Sequence, residues 1–576
     1  MTRDAEHSDT SPSLPPSAPS AASPSLADRN ADPNEQLPGS GLRVRIDPGV
    51  EQLVGSTCPV VLLGGSPLKL LRLNPPADAV FATLARGGSL GEAAVDANRS
   101  IRSVARFTRK LLDGGFVHPR WDGSGTAVRP DTDTGTETDT ASVEDPFELT
   151  IVIPAFQRAR ELDRLLDSLA DTVDTADTAD SADSAGPPTF EIVVVDDGST
   201  DDTATVAKRR GARIIRHESP QGPAAARNAG LATVTTQFVA FLDSDCVVSE
   251  NWLRPLMAHF RDPQVALVAP RIGGLTDPSA APDPKPERRR GHALRAYENV
   301  RSSLDLGERE APVVPRTRVA YVPAAAMVAR TSIMNEVGGF TTTMHVGEDV
   351  DLVWRLHGAG HRCRYEPASI IHHDHRTTAL AFLKRRFQYG TSAAELARRH
   401  PGQVPPLAVS GWSALAWSLL ATMQPATVAA SIAVAVGSTA ALPRKLTSVA
   451  NPGKLAARLA LRGHLGAGRQ IGAAIWRSYL PLAIVGALAS RRMRFTVLAA
   501  ALIPNLLEWK ERRPELDPVR YVGIRIADDA AYCAGVWRGC AHAKSFAALK
   551  PDLTSWPGRR EPSADRIGSP HKTSER

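Results

Sequence analysis

The chain has 576 residues, a formal net charge of +6 and 42% hydrophobic residues, a length that calls for two to four domains. The positive surplus, concentrated in Arg-rich stretches near and after Arg477, suits a membrane surface, and without a dense basic recognition helix it speaks against nucleic acid as a partner. Five cysteines (Cys58, Cys246, Cys363, Cys533, Cys540) at no metal-ligand or redox spacing argue against a disulfide framework and a zinc site, and point to a reducing cytoplasm.

Residues 1–40, rich in Ser, Pro, Ala and Asp, read as a disordered tail; no basic region precedes an apolar core, so no secretory signal is expected. Residues 41–120 read as a small α+β domain. Leu-Arg-Val-Arg-Ile and Val60-Val-Leu-Leu, ahead of the Gly64 to Pro67 turn, are predicted strands. Apolar residues at Ala79, Phe81, Leu84, Ile101, Val104, Phe107, Leu111 and Leu112 then recur at helical intervals and close on Gly114-Gly115-Phe116-Val117. That order is winged-helix-like, with a plain packing domain as the alternative. Residues 121–146 form a Thr/Asp/Gly-rich linker, and an Asp/Thr/Ala run from Asp171 to Ala185 reads as a loop insertion.

Over residues 147–395 strands alternate with helices, which predicts a Rossmann-like α/β domain with a parallel sheet. Strands are expected at 149–153, 191–195, 213–216 and 238–242, and helices at 158–170, 203–210 and 224–232. Three acidic clusters stand at the ends or starts of these elements, where open α/β sheets bind ligands. Asp196-Asp197, in Val-Val-Val-Asp-Asp-Gly-Ser-Thr-Asp, offers acceptors for the donors of a base and ribose, although Asp-Gly-Ser-Thr is also an ordinary turn. Asp243-Ser244-Asp245 follows a buried strand, and two carboxylates one residue apart can grip a hard divalent cation and through it a diphosphate. Glu348 and Asp349 open a predicted helix; either can take a proton from an acceptor hydroxyl, and an acidic helix start is the plain alternative. The run His372-His373-Asp374-His375 follows another strand, and His375 is assigned as a further metal ligand against the alternative of surface histidines at a turn.

Residues 396–510 form an apolar helical, membrane-associated region. Pro401 to Pro443 holds no Asp, Glu, Lys or Arg, and residues 412–442 exceed the roughly 20 residues a span needs, so one span is expected there. Residues 478–490 and 495–507 are shorter apolar runs divided by Arg491-Arg-Met-Arg494, open to reading as a short hairpin, two interfacial helices or a soluble pair. With the chain anchored in a cell membrane, the basic flanks place the domain at residues 147–395 on the cytoplasmic side. Residues 511–576 make a C-terminal segment with a disordered tail.

In their order these motifs resemble the family 2 glycosyltransferases of GT-A fold: Ile-Val-Ile-Pro-Ala-Phe at 151–156, Asp-Asp-Gly-Ser-Thr-Asp, Gly222-Pro-Ala-Ala-Ala-Arg-Asn-Ala-Gly230, Asp-Ser-Asp and Gly-Glu-Asp. The resemblance covers about 240 residues and implies an inverting transfer from a nucleotide-sugar. It implies Pro154, Phe156, Asp196, Asp197, Arg227, Asp243 and Ser244 around the nucleotide-sugar, Asp243 and Asp245 on Mn²⁺ or Mg²⁺, and Asp349, beside Glu348, as base. Processive members carry Gln-x-x-Arg-Trp after the base; this chain has Lys384-Arg385-Arg386-Phe387-Gln388-Tyr389, a departure that weakens any expectation of long polymers.

The N-terminal unit, with Leu-Arg-Val-Arg-Ile-Asp-Pro-Gly, Gly64-Gly-Ser-Pro-Leu-Lys-Leu-Leu-Arg-Leu and Leu-Leu-Asp-Gly-Gly-Phe-Val, is similar to that of glycosyltransferases of the mycofactocin system. That resemblance implies UDP-glucose as donor and mycofactocin, a peptide-derived redox cofactor, or its precursor as acceptor, decorated with a β-1,4-linked glucose oligomer. It also implies that the N-terminal unit, like small peptide-recognition domains, holds the precursor or the cofactor. Two alternatives stay open: a membrane glycosyltransferase for cell-wall polysaccharide or a lipid-linked sugar, and a non-catalytic scaffold, which the complete acidic set disfavours.

Overall fold

The computed structural model describes residues 37–55, 60–120, 148–174, 190–275, 286–374 and 378–555. The expected tail up to residue 36, the 121–146 linker, most of the Asp/Thr/Ala run, His375 and the chain after 555 lie outside the described residues.

The N-terminal strands β1 (Arg43–Ile46), β2 (Glu51–Val54), β3 (Val60–Gly64) and β4 (Lys69–Leu73) precede three helices, α1 (Pro75–Ala85), α2 (Leu90–Asp96) and α3 (Ile101–Asp113). Each helix starts on a side-chain cap: Asn74, Ser89 and Ser100 accept from the amides of Ala77, Glu92 and Ser103. Strand β5 (Val117–Arg120) returns antiparallel to β1, while β2, β3 and β4 form an antiparallel sheet. Two arginine–carboxylate forks fasten this unit to the central sheet and its loops. Arg109 pairs with Asp262, and Arg362 meets Asp113 at 2.6 and 2.9 Å.

The central sheet is built from β6 (Leu149–Ala155), β7 (Phe190–Asp196), β8 (Arg213–Arg216), β9 (Phe238–Leu242), β10 (Cys246–Val248), β11 (Val265–Gly274), β12 (Ala311–Pro312), β13 (Ala326–Arg330) and β14 (Arg362–His373). Its helices are α4 (Ala159–Asp174), α5 (Thr203–Arg209), α6 (Pro223–Leu231), α7 (Leu253–Ala258), α8 (Pro286–Arg301), α9 (Thr331–Glu336) and α10 (Glu348–Gly358). The strand order is β10-β14-β11-β13-β9-β6-β7-β8, with β12 beside β14.

Strands β6 to β9 pair in parallel, but β13 runs antiparallel to β9 and β11, so the sheet is mixed rather than all parallel. The chain reaches β13 through a loop, not a crossover helix, which frees it to enter in the opposite sense. Strand β6 is a continuous apolar run because both faces are covered. Ile151 and Ile153 pack in the core with Leu162 and Leu165 of α4, and Val152 packs on the other side with Ala226 of α6. Gly230 of α6 lies so close to the sheet that a Cβ there would overlap Val152.

After the sheet come α11 (Ala379–Arg399), β15 (Ala408–Ser410), α12 (Gly411–Ala421), α13 (Pro425–Ala441), α14 (Pro452–Arg477), α15 (Leu480–Ala489), α16 (Arg491–Arg512), α17 (Pro518–His542) and β16 (Asp552–Thr554). The described residues from Pro38 onward form one unit.

The single span expected over 412–442 is broken. Met423 has φ +54 and Pro425 takes the first turn of α13, so the chain bends between α12 and α13. Among the described residues one helical stretch, Pro425–Lys445, is long and apolar enough to cross a membrane, and little of it is buried. Helices α14 and α15 meet at a 92° bend. Leu482, Val485, Leu488, Phe495, Leu498 and Ile503 of α15 and α16 are exposed. Helix α17 returns along α11 through a seam of glycines: a Cβ on Gly535 would overlap the Phe387 carbonyl oxygen, and one on Gly390 the Tyr532 carbonyl oxygen.

Candidate active site

The carboxyl ends of β6, β7 and β9 open on one edge of the sheet. Past β6, Phe156 stands 45% exposed while Pro154 is partly buried. At β7 the two aspartates turn inward. Asp196 is fully buried, accepts from the Ser199 amide at 2.9 Å and pairs with Arg216 at 3.2 Å. Asp197 accepts from the amides of Gln221 and Gly222 at 2.9 and 2.8 Å and meets His217 Nδ1 at 2.7 Å. Gly198, at φ +79, makes the turn possible, since a Cβ would press on Ser219 and Pro220 at 3.1 Å. Both carboxylates therefore organise the lip around Phe156, and Asp197 fixes the start of α6.

Helix α6 delivers Arg227 into the interior, 3% exposed and 5.3 Å over the Phe340 ring. Its guanidinium spans two acidic clusters, donating to Asp243 Oδ1 at 2.6 Å and to Glu348 Oε1 at 3.1 Å. Burial works against its charge, but Asp243 and Glu348 outweigh burial and hold its pKa above the usual value. Motifs 105 residues apart, from Asp243 to Glu348, are thus joined through one cation.

The turn after β9 is held by Asp243 N donating to Ala325 O at 2.9 Å and Cys246 N donating to Asp243 O at 3.0 Å. Ser244 is buried, while Asp243 and Asp245 stay partly open. Strand β10 pairs Cys246 with His373 at the end of β14, which brings His373 Nε2 to 3.2 Å from Asp245 Oδ1. One ligand atom each from Asp243, Asp245 and His373 lie within 4.8 Å of one another. Two carboxylates and an imidazole at that spacing, partly exposed, are a fitting donor set for a divalent cation. Burial would raise the Asp245 pKa, but the His373 hydrogen bond and charge, with Arg158 behind them, hold it well below the usual range. His372, one residue earlier and on the other face, meets Gly274 O at 3.3 Å.

Helix α10 begins at Gly347, φ +84, where a Cβ would press on Ser392 of α11 at 3.0 Å. Its two acids differ. Glu348 is buried and paired with Arg227, whereas Asp349 accepts only from amides, Ala324 at 3.3 Å and Val350 at 2.8 Å, in the contacts described. Burial, then the adjacent Glu348, push the Asp349 carboxyl up. Asp351, fully buried, is gripped by Thr341, Arg355, Arg399 and His400 at 2.7 to 2.9 Å, which fastens α10 to the end of α11.

Sequence reasoning missed Arg385 as a site residue. It lies on α11 with its guanidinium 4.7 Å over the Tyr389 ring, and its pKa is raised, against burial, by Tyr389, Asp243 and Glu348. The signal was present in the Arg385-Arg386 pair: Arg386 turns to Asp528 of α17 at 3.2 Å, while its neighbour feels the charges of Asp243 and Glu348.

Residues 150–304 match the family model "Glycosyl transferase family 2" and residues 238–506 match "Glycosyl transferase family group 2". Over 525 residues the chain is 38% identical to the pre-mycofactocin glycosyltransferase of Mycobacterium tuberculosis, covering 89% of this chain and 98% of that protein. A validoxylamine A glucosyltransferase of Streptomyces hygroscopicus subsp. limoneus is 28% identical over 238 residues, 37% of this chain and 48% of that one. Among solved structures, a mannosyltransferase from Pyrobaculum calidifontis in complex with GDP-Man and Mn²⁺ shares 17% identity at a TM-score of 0.30, over 55% of this chain and 80% of that chain.

Proposed function

Because the chain belongs to the family 2 glycosyltransferases, we propose that it moves glucose from UDP-glucose onto mycofactocin or its precursor, with inversion, and extends the product as a β-1,4-linked oligomer. The observation that supports the catalytic part is the Arg227 bridge, whose one guanidinium donates to both Asp243 and Glu348 and so brings their two motifs side by side. The acceptor rests on the likeness to the pre-mycofactocin enzyme, which runs through the N-terminal unit and the C-terminal helices as well as the sheet.

In this reading Phe156 and Pro154 receive the uracil, and Asp196 and Asp197 hold the lip that shapes its pocket. Asp243, Asp245 and His373 would hold Mn²⁺ or Mg²⁺, whose charge when bound would offset that of the leaving diphosphate. Arg385 adds a fixed positive charge on the same side. Asp349 takes the proton from the acceptor hydroxyl as that oxygen attacks the anomeric carbon in line with the departing diphosphate. Glu348 keeps Arg227 in place and, through its charge, keeps Asp349 basic. The N-terminal unit holds the peptide-derived acceptor, and the exposed apolar helices rest in the cell membrane with the catalytic domain on the cytoplasmic side.

The same apolar helices favour one second reading, transfer to a lipid-linked sugar or wall polysaccharide. Mass spectrometry of the purified chain with Mn²⁺, UDP-glucose and the peptide-derived acceptor separates the two. Successive hexose additions that vanish in Asp349→Asn support the first reading, whereas UDP release only with a polyprenyl-linked sugar supports the second.

A further inference from the structure

Helices α12 to α16 include two hairpins, each rooted at both ends in the rest of the protein. The first, α12 with α13, is held together by Ser431 Oγ donating to Ala416 O at 2.8 Å. It starts at β15, which pairs with β16, and ends where Leu446 and Val449 pack with Val61 and Leu63 of β3. In the second, α15 with α16, a Cβ on Gly486 would stand 3.2 Å from Met493 Cε. It starts beside α17, where Trp537 Nε1 donates to Ser478 O at 2.8 Å, and ends where Glu508 pairs with Arg301 of α8 at 3.2 Å. The two tips meet, because Thr496 Oγ1 of α16 donates to the carbonyl of Ala421, the last residue of α12, at 2.9 Å.

Length decides how such hairpins sit in a bilayer. A crossing helix needs about 20 residues for a hydrocarbon core of about 30 Å. One leg of each hairpin is far shorter: α12 has 11 residues and α15 has 10, or about 16 and 15 Å. Helix α13 has the length to cross, but only α12 ties its start to the root, so the first hairpin does not reach the far side. Standing upright, the tips would stop near the middle of the bilayer and carry Arg491, Arg492 and Arg494 to the depth where a charge is most costly. Lying flat, the same arginines reach the headgroups.

Charge decides which surface fits. Residues 401–507 contain ten Lys and Arg and no Asp or Glu. Arg458, Arg469 and Arg477 find acids outside that stretch, in Glu51, Glu511 and Asp529. The other seven are exposed, the three tip arginines among them. Beside these three stand exposed Val485, Leu488, Phe495 and Leu498. Acyl chains cover the apolar side chains and lipid phosphates answer the unopposed positive charge.

We propose that the two hairpins are a monotopic anchor that lies flat in one leaflet, binds anionic headgroups at Arg491, Arg492 and Arg494, and does not cross the bilayer. The inference rests on the membrane placement proposed above and adds its geometry and its lipid.

The test dilutes the purified full-length chain from detergent onto vesicles of phosphatidylcholine, with or without phosphatidylglycerol, and reads binding by flotation. Binding should be at least about tenfold tighter with phosphatidylglycerol, and Arg491→Gln, Arg492→Gln and Arg494→Gln together should remove most of that preference, at about fivefold per charge. Glucosyl transfer measured in detergent should be unchanged in this variant. For the geometry, Met423→Cys and Met493→Cys are each labelled with a membrane-impermeant maleimide in sealed right-side-out and inside-out vesicles from expressing cells, read against the parent chain. Labelling is expected only where the cytoplasmic face is exposed. Equal binding to both lipids, a triple variant that binds as the parent does, labelling of either tip from the outer face, or labelling from neither face overturns the inference and leaves the membrane placement standing. A chain that floats with no vesicle removes both.

Discussion

Replacing Asp349 by Asn tests the catalytic arrangement most sharply. The substitution keeps the size of the side chain and an acceptor oxygen for the Ala324 amide, and removes only the ability to take a proton. Loss of a positioned base lowers the rate by about 10²–10⁴-fold, or about 3–5 kcal/mol of activation free energy. The pH dependence sharpens the test. Burial and the neighbouring Glu348 push the Asp349 carboxyl up to about 7. Transfer should therefore fall about tenfold per pH unit on the acid side of that value, and this limb should be missing from the residual rate of the variant.

Stability moves the other way. A carboxyl whose folded pKa exceeds its unfolded one contributes stability that is complete below the unfolded pKa and lost as pH rises through the folded pKa. At pH 8 the Asn variant should thus melt no lower than the parent. Initial rates from pH 5.5 to 8.5 and a thermal melt provide both readouts, the pH limits being about three units apart to bracket the titration. A variant that retains more than about a tenth of the activity, or that keeps the acid limb, refutes Asp349 as the base.

Other substitutions separate binding from folding. Asp245→Asn should weaken Mn²⁺ binding, read by calorimetry, and donor binding with it, while Asp349→Asn leaves both near the parent values. Arg385→Ala should cut kcat about tenfold or more with little change in the thermal melt, because the residue serves the pocket rather than the core. Arg386→Ala should do the reverse, destabilising by about 1–3 kcal/mol in a denaturant titration, because the buried Asp528 loses this ion pair but keeps the Tyr297 hydroxyl at 2.9 Å. Gly535→Ala should destabilise by about 1–3 kcal/mol or more, since its methyl group meets the Phe387 backbone.

Much of the catalytic domain was legible because its strands are unbroken apolar runs that end in acids or turns. The segments expected at 149–153, 191–195, 213–216 and 238–242 all form strands, with ends within two residues of expectation. The acidic clusters were found for the same reason, since composition changes abruptly where a buried strand meets a site. What was not legible depends on side-chain direction. Asp196 and Asp197 look free in sequence but spend their oxygens on the turn and the start of α6. Which histidine reaches Asp245 depends on the β10–β14 register, which sequence spacing does not set. Arg385 comes within reach of the charges of Asp243 and Glu348 only through the placement of α11 in the fold. The break before α13 had a visible marker, Pro425, that uniform apolarity concealed.

The glycine seam between α11 and α17 carries a mechanical consequence. The apolar helices leave the chain after α11 and rejoin it at α17, so they form a loop whose two ends are stapled at the catalytic domain. At Gly390 and Gly535 the seam has no room for even a methyl group, so the pair resists sliding or rolling and behaves as one rigid strut. Arg385 rides on that strut, so its place beside Asp243 and Glu348 is set by how α11 packs on α17.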